Sequence, residues 1–287
     1  MKTASSPQCG FTLVEMLVSV TILSFMLIMM AKITGLVEFT WHQAQNRIDN
    51  FTKARSMLDL VSSDLQRAVF RGDLPVFGIG GPAATPAVTS GGLYYFTGTT
   101  FKAAFYTRLP GASTVSGTSV PVRDVSLVSY KLTTTTDEDK IVLQRSDLAV
   151  PWTSGTYLSF QSDINPLLSN TNAVVSEVAP GVVGFRMVFR RADGSLIDQS
   201  QYTGYNPANP VLAVNAGLAV INRQCLTVLT SAQISQLQTA FSNGTMSNGI
   251  KTSWDQQVLT SSFYSSYPSV LGDGLKTYEC WVGCTPF

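Results

Sequence analysis

Only 13% of the 287 residues are Asp, Glu, Lys or Arg, about half the share of an ordinary soluble domain. The formal net charge of +1 excludes a long-range field that would recruit nucleic acid or anionic lipid. One histidine, His42, argues against most histidine-based catalysis and against a Cys/His zinc site. The length allows one large domain or two ordinary ones. Ser, Thr, Asn and Gln crowd the region after residue 85, a composition common in β-rich domains outside the cytoplasm.

The first ten residues, MKTASSPQCG, are polar with a single lysine. An apolar run starts at Phe11 and carries no charge from Met16 to Ala31. As a helix, Phe11 to Val37 would extend roughly 40 Å at ~1.5 Å per residue, enough for a hydrocarbon core of ~30 Å. Within this run stands Glu15, whose carboxylate costs a few kcal/mol or more in lipid unless it is paired. A cleavable secretory signal fits poorly, because Met29 occupies a position before Ala31 where a small residue belongs. A lipoprotein fits poorly too, since Cys9 precedes the apolar stretch. A plain anchor leaves Glu15 unexplained.

Gly10–Glu15 reads G-F-T-L-V-E, directly after a short leader with one basic residue and directly before the apolar run. This combination resembles the type IV prepilins and type II secretion pseudopilins. The resemblance implies that a membrane-embedded prepilin peptidase cuts between Gly10 and Phe11 and that the new amine of Phe11 is N-methylated. Residues 1–10, Cys9 included, would be discarded as a leader peptide. It further implies that Glu15 pairs with the N-terminal amine of a neighbouring subunit during assembly. Opposite charges attract strongly in a low-dielectric setting, and either alone is costly there. The partners implied are other pilins or pseudopilins, the peptidase, an inner-membrane assembly platform and the lipid bilayer. The location implied is the bacterial inner membrane, single-pass with the C-terminal domain in the periplasm, and then a filament or the cell surface. Lys2 in the leader, against Arg47, Lys53 and Arg55 beyond the span, gives that orientation weak support.

Past the span, Ala44, Ile48, Phe51, Ala54, Leu58, Val61, Leu65 and Ala68 alternate in steps of four and three, an apolar stripe on one helix face. Arg47, Asp49, Lys53, Arg55, Asp59, Asp64 and Arg67 lie between them and read as a solvated face. Asp49 and Lys53 have the favourable i,i+4 order. Gly72 and Pro75 end the pattern near Arg71, so the helix is expected over residues 11–71, with a possible bend at Gly35. A two-stranded coiled coil would also satisfy the stripe; the resemblance favours packing on the chain's own β-sheet. RSMLDLVSSDLQRAVF resembles the helix end of J-type minor pseudopilins and W-type minor pilins. VAPGVVGFRMVFRRADGSL with VLAVNAGLAVINRQ resembles their paired late strands. The chain is longer than the usual J-type member, chiefly after residue 225.

Residues 72–90 read as a linker and 91–287 as an extracytoplasmic β-rich globular domain. Period-two alternation marks strands in GLYYFTG, FKAAFYTRL, VSLVSYKLTTT, KIVLQRS, GFRMVFRR and LAVNAGLAVIN. TTTTDEDKIVLQ reads as a hairpin turning at Asp137–Asp139; this acidic cluster lacks the alternation and glycine of a calcium loop and is expected to be a solvated turn. SAQISQLQTAFSNG reads as a helix capped by Ser231 and stopped by Gly244, and WDQQVLTSSFYSSY as another. The fold class is α+β and pilin-like: a long N-terminal helix on an antiparallel sheet, with a C-terminal extension.

Catalytic signatures are lacking. There is no G-x-S-x-G elbow, and FGIGGPAATP lacks the strand–helix context of a phosphate loop. Aromatic residues are not interleaved with basic ones as in a nucleic-acid groove. Cys225 pairs with Cys280 or with Cys284 if the compartment is oxidising, and the spacing does not choose. No metal site and no cofactor are expected. The reading is a non-catalytic minor pilin or pseudopilin. The alternatives are a membrane-anchored adhesin-like binding protein, with residues 200–287 supplying the ligand surface, and a membrane-anchored hydrolase.

Overall fold

A computed structural model describes residues 12–68, 75–80, 87–90, 93–97, 101–108, 126–134, 141–149, 173–198, 208–243, 246 and 248–283. The chain divides into two units, Met1–Asn46 and Arg47–Phe287. Helix α1, Leu13–Gln66, contributes to both. It contains no proline and one glycine, Gly35, so nothing interrupts its backbone hydrogen bonding. It stops at Gln66, earlier than the expected Arg71. There Arg67 and Ala68 take tighter bonds, to Asp64 O at 3.2 Å and Leu65 O at 3.1 Å. Ala68 then bridges to Thr107, which ends the helix by pairing the chain with a strand.

The second unit holds two sheets. Strands β1 (Pro75–Gly80), β2 (Ala87–Ser90), β3 (Leu93–Thr97), β4 (Phe101–Thr107), β5 (Ser126–Thr134), β6 (Ile141–Ala149) and β7 (Val174–Pro180) form the first, in the order β2-β1-β3-β4-β5-β6-β7. Its neighbours are antiparallel except β1 and β3, which run parallel. Two of these strands, β1 and β2, lie within the residues expected to be a linker. β5 and β6 pair from Ser126↔Ala149 to Thr134↔Ile141, as the hairpin reading required; its turn, with Asp137–Asp139, lies outside the described residues. β8 (Val182–Arg191), β9 (Leu196–Asp198), β10 (Val211–Ile221) and β11 (Leu275–Gly283) form the second sheet, ordered β11-β10-β8-β9 and wholly antiparallel.

The chain changes sheets at Gly181. Its N–H donates to Ile141 O in the first sheet at 2.8 Å, and its carbonyl accepts from Ile221 N in the second at 2.8 Å. Its φ is +82°, and a Cβ there would meet Ile221 O at 2.5 Å. Only glycine satisfies both demands.

Two cores flank the second sheet. On one side Ala54, Met57, Leu58, Val61 and Leu65 of α1 pack with residues of both sheets, among them Phe105, Tyr130, Phe185, Met187 and Leu218. On the other side lie α2 (Arg223–Val228), α3 (Ser231–Ser242), α4 (Ile250–Gln257), α5 (Ser261–Tyr264) and α6 (Val270–Gly274). Both faces of β8 and β10 are therefore covered, and each shows eight consecutive buried residues instead of alternation. Close seating of the helices requires glycine in the strands. A Cβ on Gly184 would come within 2.7 Å of Phe241 Cβ, and one on Gly217 would overlap Ile250. Phe241 and Trp254 meet edge to face at 5.1 Å, and Trp254 Nε1 donates to Phe241 O. The C-terminal extension is thus half of a core. Deleting it would strip one face of the sheet, so deletion cannot separate a ligand surface from a folding defect.

Two corrections concern helix caps and faces. α3 is capped by Thr230, not Ser231: Thr230 Oγ1 accepts from Gln233 N, and the Gln233 side chain accepts from Thr230 N at 3.0 Å, a reciprocal capping box. WDQQVLTSSFYSSY is split between α4 and α5.

On α1 the buried positions are Asn50, Ala54, Met57, Leu58, Val61, Asp64 and Leu65, while Ile48 and Phe51 remain 59% and 53% exposed. Asp64 is therefore inside, not on the solvated face. Its carboxylate accepts from Tyr130 OH at 2.5 Å and from Arg145 Nε and Nη2 at 2.7 and 3.2 Å. Burial, then the charge and hydrogen bond of Asp64, hold the Tyr130 phenol well above its ordinary range, so it stays a donor. This cluster fastens α1 to β5 and β6. A second buried pair, Arg186 with Asp198, joins β8 to β9, and Arg186 Nη1 donates to Asn243 O beyond α3 at 2.9 Å.

Candidate functional site

Thr12 opens α1. Its Oγ1 accepts from Glu15 N at 3.3 Å, and its carbonyl accepts from Met16 N at 3.2 Å. Thr12 and Glu15 thus stand in the order of a capping box, Thr-x-x-Glu, a signal visible in the sequence. Glu15 sits in the first turn, where the helix dipole favours a carboxylate by about 0.3–1 kcal/mol. That gain is smaller than the ~2.5 kcal/mol or more that an unpaired carboxylate costs in lipid.

From Thr12 to His42 every residue is exposed. The outward apolar side chains include Leu13 at 81%, Phe25 and Met26 at 64%, and Leu36 at 67%. A helix apolar all round seeks lipid or other helices, not one face of a soluble core. α1 is the one described helix long and apolar enough to cross a membrane. Its hydroxyls are satisfied within the helix. Ser19 donates to Glu15 O at 2.7 Å, Ser24 to Val20 O at 2.8 Å, Thr34 to Met30 O at 2.9 Å and Thr40 to Leu36 O at 2.6 Å. Bonded this way, they add little cost in a medium without water. Lys32, Glu38 and Trp41 follow at the far end.

Gly10 and Phe11 lie outside the described residues, as does Cys284. Among the described residues Cys225 and Cys280 are not bonded to each other. Cys225 lies against Gly274, the residue before β11, whereas Cys280 lies within that strand opposite Ala216. Five strand steps beyond Leu275 place Cys280 about 17 Å further along, well past the ~7 Å that a disulfide tolerates between Cα atoms. Burial pushes both thiols up to about 11. Native chain is accordingly expected to alkylate at Cys225 and Cys280 roughly a hundredfold more slowly at pH 8 than an unperturbed thiol. Timed iodoacetamide labelling followed by peptide mass spectrometry measures this. Labelling at the rate of unfolded chain would mean that the thiols are not held as described.

No cluster of three or more metal-ligating side chains occurs among the described residues. The chemistry on display is that of an apolar rod with one acid in its first turn.

Residues 5–31 match the family described as the Prokaryotic N-terminal methylation motif. The match takes in residues 5–10, Phe11, Glu15 and the apolar run up to Ala31. No curated protein matches the chain at a significant level.

Proposed function

We propose that this chain is a minor pilin or pseudopilin of the type IV prepilin and pseudopilin kind, a reading supported by the match of residues 5–31 to the methylation motif. It would be a non-catalytic subunit that assembles through α1 into a pilus-like or type II secretion filament. The observation that carries this reading is the methylation motif at residues 5–31, which runs into an exposed apolar helix whose first turn contains Glu15. Prepilin peptidase would cut between Gly10 and Phe11 and methylate Phe11. The subunit would wait in the inner membrane with its second unit in the periplasm, and then join other pilins or pseudopilins on an assembly platform.

Physical chemistry supports a registering function for Glu15. Helices surrounded by lipid gain little from apolar contact alone, since lipid tails are as apolar as leucine. A carboxylate meeting a neighbouring subunit's terminal amine removes two lipid-exposed charges at once. That gain exists only when the two helices lie side by side at one stagger. Glu15 thus favours assembly over free diffusion in the membrane.

Two measurements test this. Mass spectrometry of the N-terminal peptide from native membranes should find N-methylphenylalanine at Phe11. Glu15→Ala should leave cleavage largely intact while reducing incorporation into filaments at least tenfold, read by quantifying the subunit in sheared or purified assemblies. Normal incorporation of that variant would remove the pairing account, and an intact leader in working assemblies would remove the family reading with it.

A further inference from the structure

Between Glu15 and Arg47, helix α1 carries two charged side chains, Lys32 and Glu38. Both are exposed, and neither has a partner among the described residues. An acid and a base four residues apart would meet along one helix. These stand six apart. At ~3.6 residues per turn they point about 120° away from each other and lie about 9 Å apart along the axis. Within one helix the two do not meet. Gly35 stands three residues from each, between their two directions. A Cβ on Gly35 would meet nothing within 4 Å, and glycine lets a second helix approach closely. The helix thus presents a notch with a cation on one flank and an anion on the other.

Lys32 lies about 25 Å along α1 from Glu15, within the ~30 Å of a hydrocarbon core. An ionisable group at that depth calls for a partner. While the chain is alone in a membrane, the long lysine stem lifts its ammonium towards the headgroups. A lipid phosphate there would answer Lys32 but repel Glu38. A second copy of this chain answers both. Displaced by about 9 Å towards its C-terminal end, it sets its Lys32 level with Glu38 of the first copy. Two copies at one depth instead hold like charges level, so the contact rewards displacement. It leaves one Lys32 and one Glu38 unused at its two ends, which makes it head-to-tail and open to further copies. Pairing of Glu15 with a terminal amine favours the same direction, because there too the acid follows the cation in sequence. Glu38 stands about 140° around the helix from Glu15, so it registers a different flank.

We propose that Lys32, Gly35 and Glu38 form an interface for a second copy of this chain, staggered by about 9 Å, in which Lys32 of one copy pairs with Glu38 of the other. This rests on the filament reading and deepens it by naming a neighbour and its register. Full-length Lys32→Glu and Glu38→Lys are produced in cells that lack the wild-type copy, singly and together under distinguishable tags. The subunit is then counted in sheared assemblies, with leader cleavage and retention in the membrane fraction measured alongside. Each variant alone should be incorporated at least tenfold less than wild type, because its copies present like charges to one another. Produced together, both should recover to within threefold of wild type, since the two reversed positions attract each other and so do the two unreversed ones. Gly35→Leu, which fills the notch and leaves the charges alone, should lower incorporation at least fivefold. Normal incorporation of either charge variant alone overturns the proposal. So does failure of the mixture to recover while both variants are cleaved and retained in the membrane, since the counter-charge then belongs to lipid or to another subunit. In both cases cleaved, incorporated wild-type chain leaves the filament reading standing. Wild-type chain that is uncleaved or missing from the assemblies removes that reading, and the proposal falls with it.

Discussion

Replacing Asp64 with alanine is expected to destabilise the second unit by about 3 kcal/mol, a larger loss than its place on a polar helix flank suggests. Asp64 is 2% exposed and accepts from both Tyr130 and Arg145. The variant leaves a guanidinium whose side chain is 14% exposed with Asp147 as its remaining carboxylate, at 3.6 Å. It also leaves the Tyr130 hydroxyl without its acceptor. Retention of the Arg145–Asp147 contact puts the expected cost at the low end of the range for breaking a buried pair, ~3–5 kcal/mol. In thermal unfolding of the full chain in detergent, this should lower the midpoint by roughly 6–12 °C. The double variant Asp64→Leu with Arg145→Met should recover much of the loss, because two apolar side chains incur no desolvation penalty. A loss below about 1 kcal/mol for Asp64→Ala would show that the cluster does not hold α1 to the sheet.

Arg186→Met should be as damaging. Arg186 and Asp198 are 3% and 2% exposed, and the guanidinium also reaches Asn243 O. Removing one member of a buried charge pair is expected to cost about 3 kcal/mol at pH 7. Paired denaturant titrations of both proteins measure the difference. A loss below about 1 kcal/mol would mean that the pair does not hold β8 to β9.

Both predictions rest on residues whose importance is not written near them. Asp64 meets Tyr130 and Arg145 at sequence separations of 66 and 81. An aspartate between apolar residues on a helix reads as solvated unless its partners are known. The strands were easier to read. β4, β5 and β6 stand where alternation placed them, because one residue up and one down is a local property. β8 and β10 stand there too, although their unbroken runs, VVGFRMVF and VNAGLAVI, signal burial on both faces. β1 and β2 were missed, since their glycine-rich and proline-bounded segments resemble a linker and gain strand geometry only from pairing with each other and with β3.

The amino-acid sequence by itself determined the anchor: a motif at residues 5–31, an acid at Glu15 and an uninterrupted apolar helix. Those features act over one to a few helical turns, so their chemistry is complete in the local spacing. Tertiary structure alone decided which flank of α1 is buried, that Cys225 and Cys280 stay apart, and that the C-terminal helices close a second core. Each of these depends on contacts between segments far apart in the chain. Such contacts form only where the sheets bring both partners together, and no local pattern records them.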